Sequence, residues 1–220
     1  VTGRQKVEEV IAALKRSTLP TTIYKLQKLD RDDVIDITDF DVVAWIKKEM
    51  RTMLDEEIAR AILVGDGRAS DHNDKINPLS IRPIWTDDDV YTIKQRITYA
   101  SNATVDDKAK AFIQNCVRSR KNYEGSGNPV LFTTEDVVTD CLLMEDKQGR
   151  VIYDTMDKLT TALRVSKIVT VPVLENLTRT FTESNASVTT QLLGIIVNLA
   201  DYNVGADKGG EVNMFDDFDI

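Results

Sequence analysis

From Val43 to Ile62 apolar side chains return every three or four residues, at Val43, Ile46, Met50, Met53, Leu54, Ile58, Ala61 and Ile62. That period predicts a single amphipathic helix. Lys47, Lys48, Arg51, Thr52, Asp55, Glu56 and Arg60 fall mostly on its other side. Arg51 and Asp55, one turn apart, are placed to support the exposed face by roughly 0.3 kcal/mol. At the start, Thr38 followed by Asp41 is a capping-box-like pattern with aspartate in place of glutamate, and Asp39 adds negative charge to the first turn. At the end, Gly65 can take the left-handed conformation that stops a helix. Thr38 to Arg68 thus reads as a helix of about 25 residues, roughly 39 Å long, ending on Gly65-Asp66-Gly67. A helix that long in a compact chain calls for a large apolar partner surface or a neighbouring subunit.

Before this spine, Val7, Val10, Ile11 and Leu14 predict a short helix, broken by Leu19-Pro20-Thr21. Ile23 to Leu29 then reads as a strand and Asp30-Arg31-Asp32-Asp33 as a charged turn. After the spine comes a polar loop with the single histidine, His72. Ile81 to Ile84 and Val90 to Ile93 follow as short strands. Thr104 with Asp107 caps a helix whose apolar positions are Ala109, Phe112, Ile113, Cys116 and Val117, ending near Tyr123 before Gly125-Ser126-Gly127. Pro129 to Thr133 predicts a strand, Glu135 to Met144 and Thr155 to Arg164 two helices, and Ile168 to Leu174 a strand that Pro172 marks as an edge. Leu192 to Leu199, a nearly continuous apolar run, suits a strand covered on both faces, at a sheet centre or against the spine.

The order is mixed, so the fold class is α+β, with no internal repeat of fixed period. The division expected is discontinuous. Residues 1–75 and 189–220 form one subdomain around the spine and residues 76–188 a compact α/β subdomain with a small central sheet.

Composition narrows the function. At 220 residues and 42% hydrophobic content the chain can bury a substantial core. No stretch approaches the roughly 18 uninterrupted apolar residues of a membrane span, and the first residues, with Arg4, Lys6, Glu8 and Glu9, lack a signal-peptide pattern. A soluble chain without an export address is expected. Cys116 and Cys141 are the only cysteines, each on an apolar helix face. They read as buried free thiols in a reducing compartment rather than a disulfide or metal site. A net charge of −8 argues against a nucleic-acid-reading surface, which needs clustered cations. Arg118, Arg120 and Lys121 close a helix, where cations complement its dipole. The tail Phe215-Asp216-Asp217-Phe218-Asp219-Ile220 alternates carboxylates with apolar groups, as a docking strand or a cut end would.

Catalytic signals are sparse, with no nucleophile elbow and no phosphate-binding loop. Gly65-x-Gly67 lacks a third glycine and follows a helix, so it is no dinucleotide fingerprint. Asp87-Asp88-Asp89 lacks the alternating ligands of a calcium loop and reads as a solvated turn. Asp66, Asp71, His72 and Asp74 share one loop and are the one set suited to a divalent metal, as in a cytosolic metal-dependent hydrolase. The same residue types make turns, and the turn reading is preferred. The expectation is no enzyme and no cofactor. Trp45, flanking the spine's apolar stripe, and Trp85, after Pro83-Ile84, read as core or contact residues. A regulatory domain docking through the spine is a further class.

Three blocks together resemble the major capsid proteins of tailed bacteriophages and prophages. The first is Thr21-Thr22-Ile23-Tyr24-Lys25 through Lys28-Leu29-Asp30-Arg31-Asp32-Asp33. The second is the spine with its end, Ala59-Arg60-Ala61-Ile62-Leu63-Val64-Gly65-Asp66-Gly67-Arg68. The third is Asn198-Leu199-Ala200-Asp201-Tyr202-Asn203-Val204-Gly205-Ala206-Asp207-Lys208-Gly209-Gly210 with the Phe-Asp-Asp-Phe-Asp-Ile ending. The likeness covers most of the chain and is strongest at its two ends.

The resemblance implies a peripheral domain carrying the spine helix and β-structure, and an axial domain that packs at capsomer centres. It implies an icosahedral shell subunit that self-assembles into pentamers and hexamers around packaged double-stranded DNA, without reading its sequence. Scaffold and portal proteins are implied partners. Its place would be the virion capsid, and the host cytoplasm during assembly. Trp45, Lys48, Arg51 and Asp55 are then expected as spine contacts between subunits, and Gly125, Ser126, Gly127 and Asn128 as a loop facing a symmetry axis. The family's clasping N-terminal arm and extended loop look absent or truncated here, so this chain alone is expected to be a monomer. An encapsulin-like nanocompartment, with the same subunit architecture around protein cargo, is the alternative shell.

Overall fold

The computed structural model describes residues 42–183 and 186–205, together with Leu19. The helix expected at 7–14, the strand at 23–29, the charged turn at 30–33, the Thr38–Asp41 cap and the tail 215–220 lie outside the described residues. So do the first resemblance block and the end of the third.

The described residues form a mixed α+β fold of four α-helices, a three-stranded sheet and a two-stranded sheet. Helix α1, the spine, runs Val42–Leu63 over 22 residues, about 33 Å. It ends just before Gly65-Asp66-Gly67, where the sequence places its stop. Gly65 turns the chain at φ +92°, and the N–H groups of Val64 and Gly65 both donate to Arg60 O, at 2.9 and 3.1 Å.

Helix α2, Val105–Ser119, begins with the capping box that its sequence predicts. The Thr104 hydroxyl accepts from the Asp107 N–H, and the Asp107 carboxylate accepts from the Thr104 N–H. Helices α3, Glu135–Leu142, and α4, Met156–Leu163, start on Thr134 and Thr155, whose hydroxyls accept from the Val137 and Lys158 N–H groups without the reciprocal half of the box.

Strands β1, Val130–Thr133, and β2, Lys167–Thr170, pair in parallel, and β5, Gly194–Val197, pairs antiparallel to β1. The order is β2-β1-β5. The central strand is therefore β1, and among the described residues β5 is an edge; of the two places expected for the 192–199 run, a sheet centre or against the spine, the second is met, by Ile195 beside Leu63. Its apolar continuity comes from cover on both faces. Leu131, Ile168 and Ile196 meet the buried residues of α2, α3 and α4, among them Phe112, Cys116, Val138, Leu159 and Leu163. Phe132, Ile195, Val169 and Val197 face the other way, toward Leu63 at the end of α1, Leu174 and Trp85. Period-two alternation thus sends β1 into two cores. Gly194 is required where β5 meets β1, because a Cβ there would lie 3.1 Å from both Leu131 Cδ1 and Phe132 O.

Strand β4 runs Ala186–Gln191. Residues 81–84 and 90–93 are turns, bends and irregular chain, not strands. The Ile84 N–H donates to Ile62 O at 2.8 Å and the Trp85 N–H to Leu63 O at 3.0 Å. Those donors close the open carbonyl end of α1, so they are not available to a ladder. Residues 172–174, expected to continue β2, form a 3-10 turn starting at Pro172. A hairpin absent from the expectations joins β3, Thr178–Glu183, to β4.

Candidate functional site

Along α1 the surroundings change from one end to the other. Ala61 and Leu63 are buried, whereas Trp45 is 51% exposed and Met53 is also exposed. Ile46, Met50 and Leu54 are half-buried. Lys48, Arg51 and Asp55, expected to make contacts, are all exposed on the same stretch. The structure thus brings Trp45, Lys48, Arg51 and Asp55 onto one accessible helix. The Thr52 hydroxyl donates back to Lys48 O at 3.1 Å.

Where α1 ends, Asp66 organises the following loop. It is 6% exposed, accepting from the Ile76 N–H at 2.7 Å, the Lys75 ammonium at 3.2 Å and the Arg68 N–H at 3.2 Å. Burial opposes its ionisation, but the Ile76, Lys75 and Arg68 donors outweigh that and hold the carboxyl below the usual carboxylate range. Lys75 also donates to Arg68 O at 2.6 Å, and the Arg68 guanidinium pairs with Glu57 of α1 at 2.7 Å. This network ties the loop to the helix it follows.

The metal reading of this loop does not match the geometry. Asp71, His72 and Asp74 are exposed around a shallow open depression, while both Asp66 oxygens are engaged elsewhere. His72 Nδ1 accepts from the Asp74 N–H at 3.1 Å, a turn contact. Among the described residues no group of three His, Cys, Asp or Glu side chains is placed to hold a metal ion. The 87–89 run is a turn as well, with Lys94 bridging Asp89 and the Asp87 carbonyl.

The loop Gly125 to Asn128 is exposed and pinned to the segment after β5. The Ser126 N–H donates to Asp201 Oδ2 at 2.8 Å, and the Ser126 hydroxyl donates to Asp201 Oδ1. Asn198 Nδ2 donates to Ser126 O at 2.9 Å, and Gly127 turns at φ +57°. Arg120 sits 4.5 Å from the Tyr123 ring centre, within cation–π range. Asn198 and Asp201 were not among the expected site residues. Their signal is an Asn whose side chain caps a short turn with an Asp three residues on.

Cys116 and Cys141 are free and buried, and burial pushes both thiols up to about 12. Neither is a nucleophile at neutral pH. Among the described residues no helix is long and apolar enough to cross a membrane. No known protein family, curated protein or solved structure matches this chain.

Proposed function

We propose that this chain is the structural subunit of an icosahedral viral shell enclosing double-stranded DNA, built on the capsid fold of tailed bacteriophages. In this reading α1 is the spine of a peripheral domain, and the three-stranded sheet with α2, α3 and α4 belongs to an axial domain. The observation that carries it is α1 itself. Its last turn is anchored in a core and closed by Ile84, Trp85 and the Asp66 network. Farther toward its start, Lys48, Arg51 and Asp55 are exposed.

A shell subunit works through geometry, and many modest contacts sum to a stable closed particle. The net acidic charge suits a wall that holds DNA without adhering to it. A strong, salt-sensitive affinity of assembled particles for DNA would contradict that part.

The test is expression of the gene alone and together with its genomic neighbours, with sedimentation and electron microscopy to look for closed particles. Uniform shells are expected. Particles filled with protein would redirect the reading to a nanocompartment, and soluble monomers in both settings would overturn it.

A further inference from the structure

We infer that the end of the three-stranded sheet at which β1 and β2 begin is a contact site for the phosphate backbone of duplex DNA. The fold assembles this end from three separate stretches of sequence. Val130, the first residue of β1, pairs with Lys167 of β2 on one side and with Val197 of β5 on the other. The Ser166 N–H and hydroxyl both donate to Pro129 O, at 2.8 and 3.0 Å. Asn198 and Asp201 hold Ser126, in the loop that leads from the C-terminus of α2 into β1. Cys116 near the end of α2 and Leu163 at the end of α4 share one core. Arg118, Arg120 and Lys121, which close α2, are thereby brought to the same end as Arg164, which closes α4, and Lys167.

Arg118, Lys121, Arg164 and Lys167 are exposed, and Arg120 lies half-buried over the Tyr123 ring. Among the described residues none of these cations forms an ion pair. The carboxylates of the same stretches are Glu124 and Asp201, and Asp201 is taken up by the Ser126 N–H and hydroxyl. A chain of net charge −8 thus gathers a local excess of positive charge. Helix dipoles account for cations at the ends of α2 and α4. They do not account for Lys167, which opens a strand, nor for the meeting of the two helix ends.

The chemistry of these groups names the ligand class. Guanidinium and ammonium groups suit phosphate oxygens. An acidic protein partner would also need an apolar centre, and residues 118–130, 164–167 and 197–201 expose one large apolar side chain, Leu199. No exposed aromatic ring stands among them for base stacking, so the contact follows charge and not sequence. That the phosphate backbone is that of duplex DNA rests on the shell reading. The net negative charge of the rest of the chain keeps the contact weak, so it positions the duplex without fixing it to the wall.

Fluorescence anisotropy of a short labelled duplex, titrated with the whole unassembled chain, tests it. Binding is expected with a Kd of about 10–100 µM at low salt, equal within about twofold for two unrelated sequences. Arg118→Gln and Lys167→Gln should each lower the salt slope by about one, and together weaken binding about tenfold. Lys108→Gln, at an exposed position near the start of α2, should change neither. No binding, an equal loss in Lys108→Gln, or displacement of the duplex by polyglutamate at matching charge would each overturn the inference. Closed particles from a chain without duplex affinity would overturn this inference alone, and duplex affinity without particles would overturn the shell reading alone.

Discussion

The two sheets of this protein invert the usual relation between strand length and security. Strands β1, β2 and β5 have four residues each, and β3 and β4 have six. The short strands are covered on both faces, by α2, α3 and α4 on one side and by Leu63, Leu174 and Trp85 on the other. Among the described residues the longer ones pair only with each other. Ladder length is therefore a poor guide to which sheet holds the fold, because the stabilising free energy comes from apolar surface removed from water. The same division runs along α1, anchored at Leu63 and exposed at Trp45. What is covered holds the fold, and the exposed stretch of α1 is where the proposed contacts between subunits would lie.

The largest effect that can break this comparison is in the covered sheet. Leu131, 1% exposed on the central strand, is expected to cost about 2–5 kcal/mol when changed to alanine. Chemical denaturation measures the loss. Thiol labelling reads it a second way. Cys116 and Cys141 share that core, and in the native protein they should react only through opening. Leu131→Ala should speed labelling at fixed pH, and an unchanged rate would mean that the core is not the stability-limiting unit.

Second in size is Asp66. Replacing its carboxylate with an amide in Asp66→Asn removes the charge partner of Lys75 and leaves buried donors poorly matched, which should cost about 1–3 kcal/mol. Asp74→Asn, at an exposed position in the same loop, should cost almost nothing. The sign with pH follows from the depressed folded-state pKa. The unfolded chain takes up the proton first as pH falls, so the contribution of Asp66 is present above the ordinary value of 3.8 and is lost as pH falls through the folded one. The stabilities of wild type and Asp66→Asn should converge in that acid range. A constant gap down to low pH would show that the carboxylate's charge is not what matters.

How much of this was legible in the sequence depended on how local each determinant is. The Thr104–Asp107 box and the apolar face of α2 lie within a few residues, and α2, α3 and α4 lie close to where the sequence places them. Gly65 signalled the end of α1. The groups that close that end, the N–H donors of Ile84 and Trp85, lie some twenty residues on, and their apolar neighbourhood reads as a strand. Burial of β5 was legible, but its edge position was not, since hydrophobicity reports cover on the faces and not hydrogen bonding along the sides. The β3–β4 hairpin was missed for the opposite reason. Threonine recurs at every second position of β3, but apolar residues are too few in either strand to make a hydrophobic alternation. At the candidate site, Asp66 was seen as a possible ligand because its loop is rich in acceptors, whereas its donors Lys75 and Ile76 carry no spacing rule.

A smaller effect sharpens the comparison by adding stability to the covered region. Arg164 caps α4 in the left-handed conformation at φ 56°, where a side chain costs more than glycine does. Arg164→Gly should raise stability by about 0.5–1 kcal/mol, seen as a higher midpoint at an unchanged denaturant slope. A loss would mean that the Arg164 side chain has a packing role outweighing the backbone term.

The smallest expected effect is at Thr180, and its smallness is the point. The Thr180 and Thr189 hydroxyls meet at 3.0 Å on an exposed ladder, and such a cross-strand pair contributes about 0.2–1 kcal/mol to whatever structure depends on it. If the hairpin is peripheral to the fold, Thr180→Ala loosens the hairpin locally and leaves global unfolding within about 0.3 kcal/mol of wild type. Hydrogen exchange separates the two levels. Amides of β3 and β4 should exchange faster in the variant, while those of β1 keep their protection. Equal acceleration in both sheets would show that the hairpin is coupled to the three-stranded sheet, through Leu177 and Leu192, whose backbones bond at 2.8 Å and whose side chains pack against the Phe132 core. The exposed hairpin would then be part of what holds the fold, and the line between covered and open regions would have to be redrawn at that leucine pair.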